Sequence, residues 1–174
     1  MTMTFSLFNA VDITRDLSEL AKLLHDCVHA GASIGFIMPH RMEDAEAFWR
    51  DKVQGPVANG TRLLLVAWQD GRIAGAVQLD IDTPANQPHR AEIRKLLVHP
   101  DFRRQGIAKA LMAAIEDQAR GLKRSLLTLD TRTGDSAEPL YAAIGYQTTG
   151  IIPGYCRDSH KDRLDSTTIM YKNL

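Results

Sequence analysis

The chain has little of what marks several classes of protein. Two cysteines, Cys27 and Cys156, in 174 residues cannot supply a disulfide scaffold. Neither stands in a recognisable nucleophile or metal-ligand motif, so both are expected to be reduced, structural thiols. Neither sign of charge is in excess, since Lys plus Arg and Asp plus Glu each total 21. That balance argues against nucleic acid as a partner and against a polybasic hold on a membrane. No apolar run approaches the ~20 residues of a membrane span, and Met1 to Phe8 lack a basic stretch leading into an apolar one. A cytoplasmic location is expected. Internal repeats and low-complexity segments are absent as well. What remains is a chain of 44% hydrophobic residues, enough for one sizeable core, and residues 1–174 are expected to form a single domain.

In chain order, Thr4 to Ala10 is expected to form a first strand, and Asp12 or Thr14 to cap a helix from Leu17 to Ala30 with Leu17, Leu20, Ala21, Leu24 and Val28 on one stripe. His25 and His29 are four apart in that helix. Asp26 stands where a zinc protease carries Glu and no third ligand is apparent, so no metal is expected. Gly31 to Pro39 is a loop with apolar side chains, suited either to lie over a pocket or to plug the core with Ile34 and Phe36. A second helix is expected from Met42 to Val53, broken by Gly55, Pro56 and Gly60. Asp70-Gly71 between two apolar runs predicts a hairpin. After the polar link Pro84 to His89, a third strand completes an antiparallel meander.

The organising stretch is Glu92 to Ala119. A strand Glu92 to Val98 feeds a turn at His99-Pro100, the loop Arg103-Arg104-Gln105-Gly106-Ile107-Ala108, and an amphipathic helix buried through Ile107, Leu111, Ala114, Ile115 and Ala119, with Lys109, Glu116, Asp117 and Arg120 on other faces. A glycine-bearing loop opening a helix is suited to anions, because the first helical amides lack internal partners and the dipole adds positive potential. The loop is neither a Walker motif nor a dinucleotide fingerprint. A strand at Ser125 to Asp130 follows, and strand-helix-strand in this length predicts a right-handed crossover that sets it parallel to Glu92–Val98. Ser136 is expected to cap a short helix Ala137 to Ile144. Strands at Tyr146 to Gly154 and Thr167 to Lys172 are joined by a charged run, Arg157 to Asp165, read as a solvated loop.

Arg103 to Ala108 resembles the Arg/Gln-x-x-Gly-x-Gly/Ala loop of the GNAT acetyltransferases, and Ala137 to Tyr146 resembles that family's Leu-Tyr-x-x-x-Gly-Phe/Tyr segment. The resemblance covers most of the chain. It implies a mixed α/β fold of about seven strands and four helices, with the central parallel pair splayed at the cofactor site. It also implies acetyl-CoA as cosubstrate, with Leu96, Leu97, Val98, Arg103, Arg104, Gln105, Gly106, Ile107, Ala108, Lys109 and Tyr141 holding it. More narrowly, Val28 to Phe36, Leu129-Asp130-Thr131 and Pro153 to Cys156 resemble the tabtoxin-resistance type, which acetylates a small β-lactam toxin.

The implied chemistry is direct acetyl transfer to the amine of a small molecule. An amine of pKa ~10 must lose a proton before attack. Glu92 and Asp130, brought toward one cleft by adjacent parallel strands, are the candidate bases. Tyr141 is implied by the resemblance as the acid that protonates the departing thiolate. Expected partners are a small-molecule amine, no nucleic acid, no membrane, and a second copy in a homodimer, as family members often pair. The competing readings are a protein or peptide N-terminal acetyltransferase, which needs an open groove, and a non-catalytic CoA-binding regulatory domain.

Overall fold

The computed structural model describes residues 3–174. Seven strands form one sheet in the order β1-β2-β3-β4-β5-β7-β6: β1 (Thr4–Phe8), β2 (Arg62–Gln69), β3 (Arg72–Asp80), β4 (Arg90–Val98), β5 (Leu126–Arg132), β6 (Gln147–Arg157) and β7 (Leu164–Asn173). Every neighbouring pair is antiparallel except β4 and β5, which run parallel. The expected mixed fold and crossover are both present. The uninterrupted apolar run Leu64 to Ala67 reflects burial on two faces. Leu64 and Val66 join a core with α2 (Leu17–His29) and α3 (Met42–Phe48), whereas Leu65 and Ala67 join a core with α5 (Ile107–Gly121). At the hairpin, Asp70 and Gly71 both adopt positive φ, 52° and 75°, as the two-residue turn requires.

The helices differ from expectation in number. An additional short helix, α1 (Ala10–Arg15), precedes α2, which makes five helical bodies rather than four among the described residues. Its cap is Asn9, whose side chain accepts from the amides of Val11 and Asp12 at 2.8 and 3.0 Å while Asp12 accepts from the Asn9 amide at 2.9 Å. Thus Asp12 and Thr14 lie inside a helix rather than capping one, and the first strand stops at Phe8. Nor do Gly55 and Pro56 break the second helix. α3 passes through a π-helical turn, Trp49–Val53, into α4 (Gln54–Ala58). Pro56 cannot donate to Lys52 O, and Arg62 Nη1 supplies that carbonyl at 3.2 Å instead. The last helix, α6 (Ala137–Ala143), follows Ser136, whose hydroxyl makes no cap; Glu138 accepts from the Gly134 amide at 2.7 Å.

Two other expectations are corrected by burial. Glu116 is not on an open helix face: it is 5% exposed and receives Lys172 Nζ from β7 at 2.7 Å. The run Arg157 to Asp165 is not a simple solvated loop. β6 and β7 extend into it, and Asp158 and Asp165 are buried. Asp158 accepts from the amides of His160 and Lys161 at 2.8 and 3.0 Å and from Arg163 Nη2 at 3.0 Å. Arg132 of β5 lies 3.7 Å from Asp158 and 3.6 Å from Asp165, so the hairpin end is held to the sheet.

The amides of His160 and Lys161, together with Arg163 and Arg132, hold the Asp158 carboxyl at about 2, below its ordinary 3.8. A depressed carboxyl contributes stability above its unfolded pKa and loses it as pH falls through the folded one. Denaturant titrations across pH should therefore show Asp158 supporting the fold at pH 5, with that support disappearing between pH about 4 and about 2. The Asp158→Asn variant should be less stable at pH 5 and should lack that part of the acid loss. An acid limb identical in the two proteins would contradict the assignment.

Candidate active site

The site is a consequence of where strand pairing stops. β4 and β5 share three residue pairs, Arg90 with Leu126, Ala91 with Leu127 and Glu92 with Thr128, and then part. Beyond that point β4 stays paired with β3 and β5 with β7, so a gap opens between two half-sheets that are each satisfied on their far side. β4 is bulged there. Lys95 and Leu96 together oppose Val77, and Lys95 takes φ of 50°. The bulge reverses the strand's facing: Ala91 and Ile93 enter the α5-side core before it, whereas Leu97 enters the opposite core after it. Gly75 on β3 permits the approach, because a Cβ there would lie 2.7 Å from Leu97 O. The result is a cleft of about 750 Å³.

One end of the cleft has the form of an anion cradle. After β4 the chain makes a 3-10 turn, Pro100–Phe102, where His99 and Pro100 were expected to turn. Arg104 and Gly106 then both take left-handed φ, 64° and 82°, and α5 begins. Alternating left-handed residues turn successive amides to one side, and a helix N-terminus adds its own. The amides of Arg104 to Lys109 donate to no acceptor within the described residues. Open space surrounds the position a Cβ of Gly106 would take, so the backbone there is accessible. Arg103, Arg104 and Lys109 line this end, and Arg103 Nε reaches Val98 O at 3.4 Å. Gln105 does not line the cleft. Its side chain accepts from Gln69 Nε2 at 2.7 Å and braces the loop against β2 from outside.

The middle of the cleft brings together Leu96, Leu97, Val98, Ile107, Ala108 and Tyr141. Tyr141 is 6% exposed, one turn into α6, and its hydroxyl makes no hydrogen bond with another described residue. Burial first, and then the charges of Asp130 and Asp135, push the phenol above its ordinary value. It therefore stays protonated at neutral pH, with its O–H free to donate a hydrogen bond into the cleft. The Cys27 thiol also lines the wall, within 3.4 Å of Val98 O, and burial pushes it up to about 11. A thiol so raised is inert as a nucleophile. Both cysteines are free.

The far end carries the carboxylates. Glu92 pairs in register with Thr128, and Asp130 lies two residues further along β5, so the two acids share one face of the sheet across the opening gap. Glu92 is 3.7 Å from Arg94, and Asp130 accepts from Thr167 Oγ1 at 3.1 Å. The loop Gly31 to Pro39 does both things expected of it. Ile34 and Phe36 pack on the α2-side core, and Gly31 to Gly35 line the cleft. His25 and His29 stack at 4.0 Å between ring centres, and His29 Nε2 donates to His40 O at 2.8 Å. Among the described residues no group of three or more His, Cys, Asp or Glu could hold a metal ion, and no helix is long and apolar enough to cross a membrane.

Comparison with known proteins agrees with this geometry. The profile of the acetyltransferase (GNAT) family matches residues 22–146. An uncharacterised N-acetyltransferase from the hisH-hisA intergenic region of Azospirillum brasilense is 34% identical over 128 residues, 72% of this chain and 74% of that protein. Human N-acetyltransferase 8 is 38% identical over 87 residues, which is 49% of this chain and 38% of its own length. Among solved structures, the ribosomal-protein-alanine N-acetyltransferase of Brucella melitensis aligns with a TM-score of 0.79 over 98% of this chain and 99% of that one, at 20% identity. The fold of yncA of Salmonella typhimurium, assigned as an acetyltransferase and solved with its cofactor acetyl-CoA, also aligns with a TM-score of 0.79, over 100% of this chain and 95% of that one at 17% identity. The chain belongs to the GNAT acetyltransferase family and is an N-acetyltransferase.

Proposed function

We propose that the protein transfers the acetyl group of acetyl-CoA directly to the amine of a small molecule. The observation that carries this is the run of undonated amides from Arg104 to Lys109, flanked by cationic side chains, at the mouth of a gap between parallel strands. Diphosphate oxygens fit that donor set, and Arg103, Arg104 and Lys109 supply charge for the phosphates. Leu96, Leu97 and Val98 offer the unpaired edge of β4 to the pantetheine arm. When bound, acetyl-CoA supplies the activated acetyl group; proton handling belongs to the chain. Glu92 and Asp130 take the proton from the incoming ammonium, directly or through water, and Tyr141 returns one to the departing sulfur.

A small acceptor is favoured over a polypeptide by the covering of the far end. Arg132 ties Gly31 O to β5 at 3.2 Å and the Met38 amide ties the loop to Ser159 O at 2.9 Å, which fixes the loop against the cleft in place of an open groove. The narrower resemblance of Val28 to Phe36 and Pro153 to Cys156 to the tabtoxin-resistance type supports a β-lactam or amino-acid-like amine and a role in toxin or antibiotic resistance.

Titration calorimetry with acetyl-CoA should show saturable one-site heat, and thiol release should rise with one class in a panel of amino acids, β-lactam dipeptides, polyamines and aminoglycosides; no heat from the folded protein would refute the reading. Tyr141→Phe should lower kcat by ~100-fold, within the usual span of general acid catalysis, while leaving acetyl-CoA affinity near wild type. Unchanged turnover would remove Tyr141 from the chemistry. Glu92→Gln with Asp130→Asn should keep acetyl-CoA binding and move the pH optimum alkaline, because only amine already deprotonated in solution then reacts. A superimposable pH-rate profile would exclude both as bases.

A further inference from the structure

The segment covering the far end of the cleft is fastened to both lips of the split sheet. From β5, Arg132 Nη2 donates to Gly31 O at 3.2 Å; from β4, Lys95 Nζ donates to Ile34 O. Arg132 is shared with Asp135, Asp158 and Asp165, so its position is set by the hairpin end. Lys95 is different. It occupies the bulge with φ of 50°, a conformation that costs a non-glycine residue energy. Its ammonium lies 5.5 and 5.9 Å from the ring centres of Phe36 and Phe48, with no carboxylate in ion-pair range among the described residues. Burial first, and Arg94 next, push its pKa below the ordinary lysine value.

An apolar side chain of the same length would fill the space between those rings without dehydrating a charge. What the ammonium adds is the bond to the loop and its attraction to the two ring faces, one of which, Phe36, is on the loop's own segment. Gly35 is matched to it, since a Cβ there would stand 3.2 Å from Lys95 Nζ and its own φ of 90° suits glycine. Lys95 also neighbours Arg94 and follows Glu92 along the same stretch of cleft wall.

Building on the acetyl-transfer reading, we propose that Lys95 is a positioning residue for the acceptor. Its bond to Ile34 O holds the Gly31 to Phe36 segment as a fixed wall, so that an amine resting against this wall is presented to Glu92 and Asp130. The Lys95 ammonium makes no hydrogen bond to the Arg104 to Lys109 amides that form the diphosphate end of the donor site.

The test compares Lys95→Met and Lys95→Arg with the wild-type chain. By hydrogen exchange on the whole protein, peptides spanning 31–38 should exchange about ten-fold faster in Lys95→Met, the effect of losing one charge-assisted bond, with α5 unchanged. Coenzyme A affinity by calorimetry should stay within about two-fold, while KM for the most active amine of the panel rises about ten-fold with kcat nearly unchanged. Lys95→Arg should recover much of both effects. A purely structural lysine would instead loosen the sheet generally and weaken coenzyme A binding too. The proposal is overturned if the 31–38 peptides are unmoved in Lys95→Met, if faster exchange spreads through the sheet, or if amine KM is unchanged. Wild-type protein that binds no coenzyme A would overturn the acetyl-transfer reading and this proposal together; normal binding with an unmoved loop overturns the role of Lys95 alone.

Discussion

Parallel pairing between β4 and β5 ends after Glu92 and Thr128, and the rest of the molecule is arranged around that ending. Two strands leaving a common start expose backbone groups on their inner edges, and buried backbone groups without partners are costly. The chain meets this by saturating the outer edges first. β3 holds β4 and β7 holds β5 along their lengths, so the inner edges alone remain to be shared with side chains and with a ligand. The bulge at Lys95 and the absent side chain at Gly75 turn the freed part of β4 away from its neighbour. Val98 O at the end of that edge is taken up by Arg103 and the Cys27 thiol.

The two ends of the gap are built on different physical terms. At one end, left-handed residues and a helix start gather amides, and side chains such as Gln105 work from behind to keep the loop in place. Recognition by backbone requires a repeated shape more than particular residues, which suits a ligand part as constant as a diphosphate. At the other end the walls are side chains and loops: Glu92, Lys95, Asp130 and Arg132, with Gly31 to Gly35 laid across. Lys95, Asp130 and Arg132 are each held by partners distant in sequence, Ile34, Thr167 and Gly31 among them. The same fold can therefore keep one donor while its acceptor changes through loop substitution.

This difference also explains what could be read from the sequence. Asp70-Gly71, the α5 stripe and the glycine loop are local signals, since the residues that set the conformation are the residues that adopt it. The parallel crossover was legible because handedness leaves few choices. α1 carries a local signal as well: Asn9 with Asp12 three residues on is a capping pair, competing in the sequence with Asp12 and Thr14 as caps. The remaining departures turn on remote partners. Pro56 reads as a stop until Arg62 is seen to take the carbonyl it abandons. The Gln105 amide belongs to the loop's donor run, but the hold of its side chain by Gln69 of β2 has no local signal, and Glu116 reads as lying off the buried stripe until Lys172 reaches it from the last strand. Asp158 and Asp165 were hidden in a charged run because Arg132, which helps hold both, comes from β5.

Proton traffic in the proposed reaction follows from where burial falls. Tyr141 sits in the α5-side core, where loss of water and the field of Asp130 and Asp135 keep its phenol protonated. Glu92 and Asp130 stand on the wetter lips, each touched by one polar neighbour, Arg94 and Thr167. Under that proposal, with a phenol in the dry wall and carboxylates at the wet rim, protons would leave the amine toward solvent and reach the sulfur from the side of the core. Exchanging those environments would defeat both steps, because a buried carboxyl would retain its proton and an exposed phenol would share the thiolate with water. The parting of the strands thus does more than make room. It sets a dry wall, with Tyr141, and a wetter rim, with Glu92 and Asp130, on either side of the same gap.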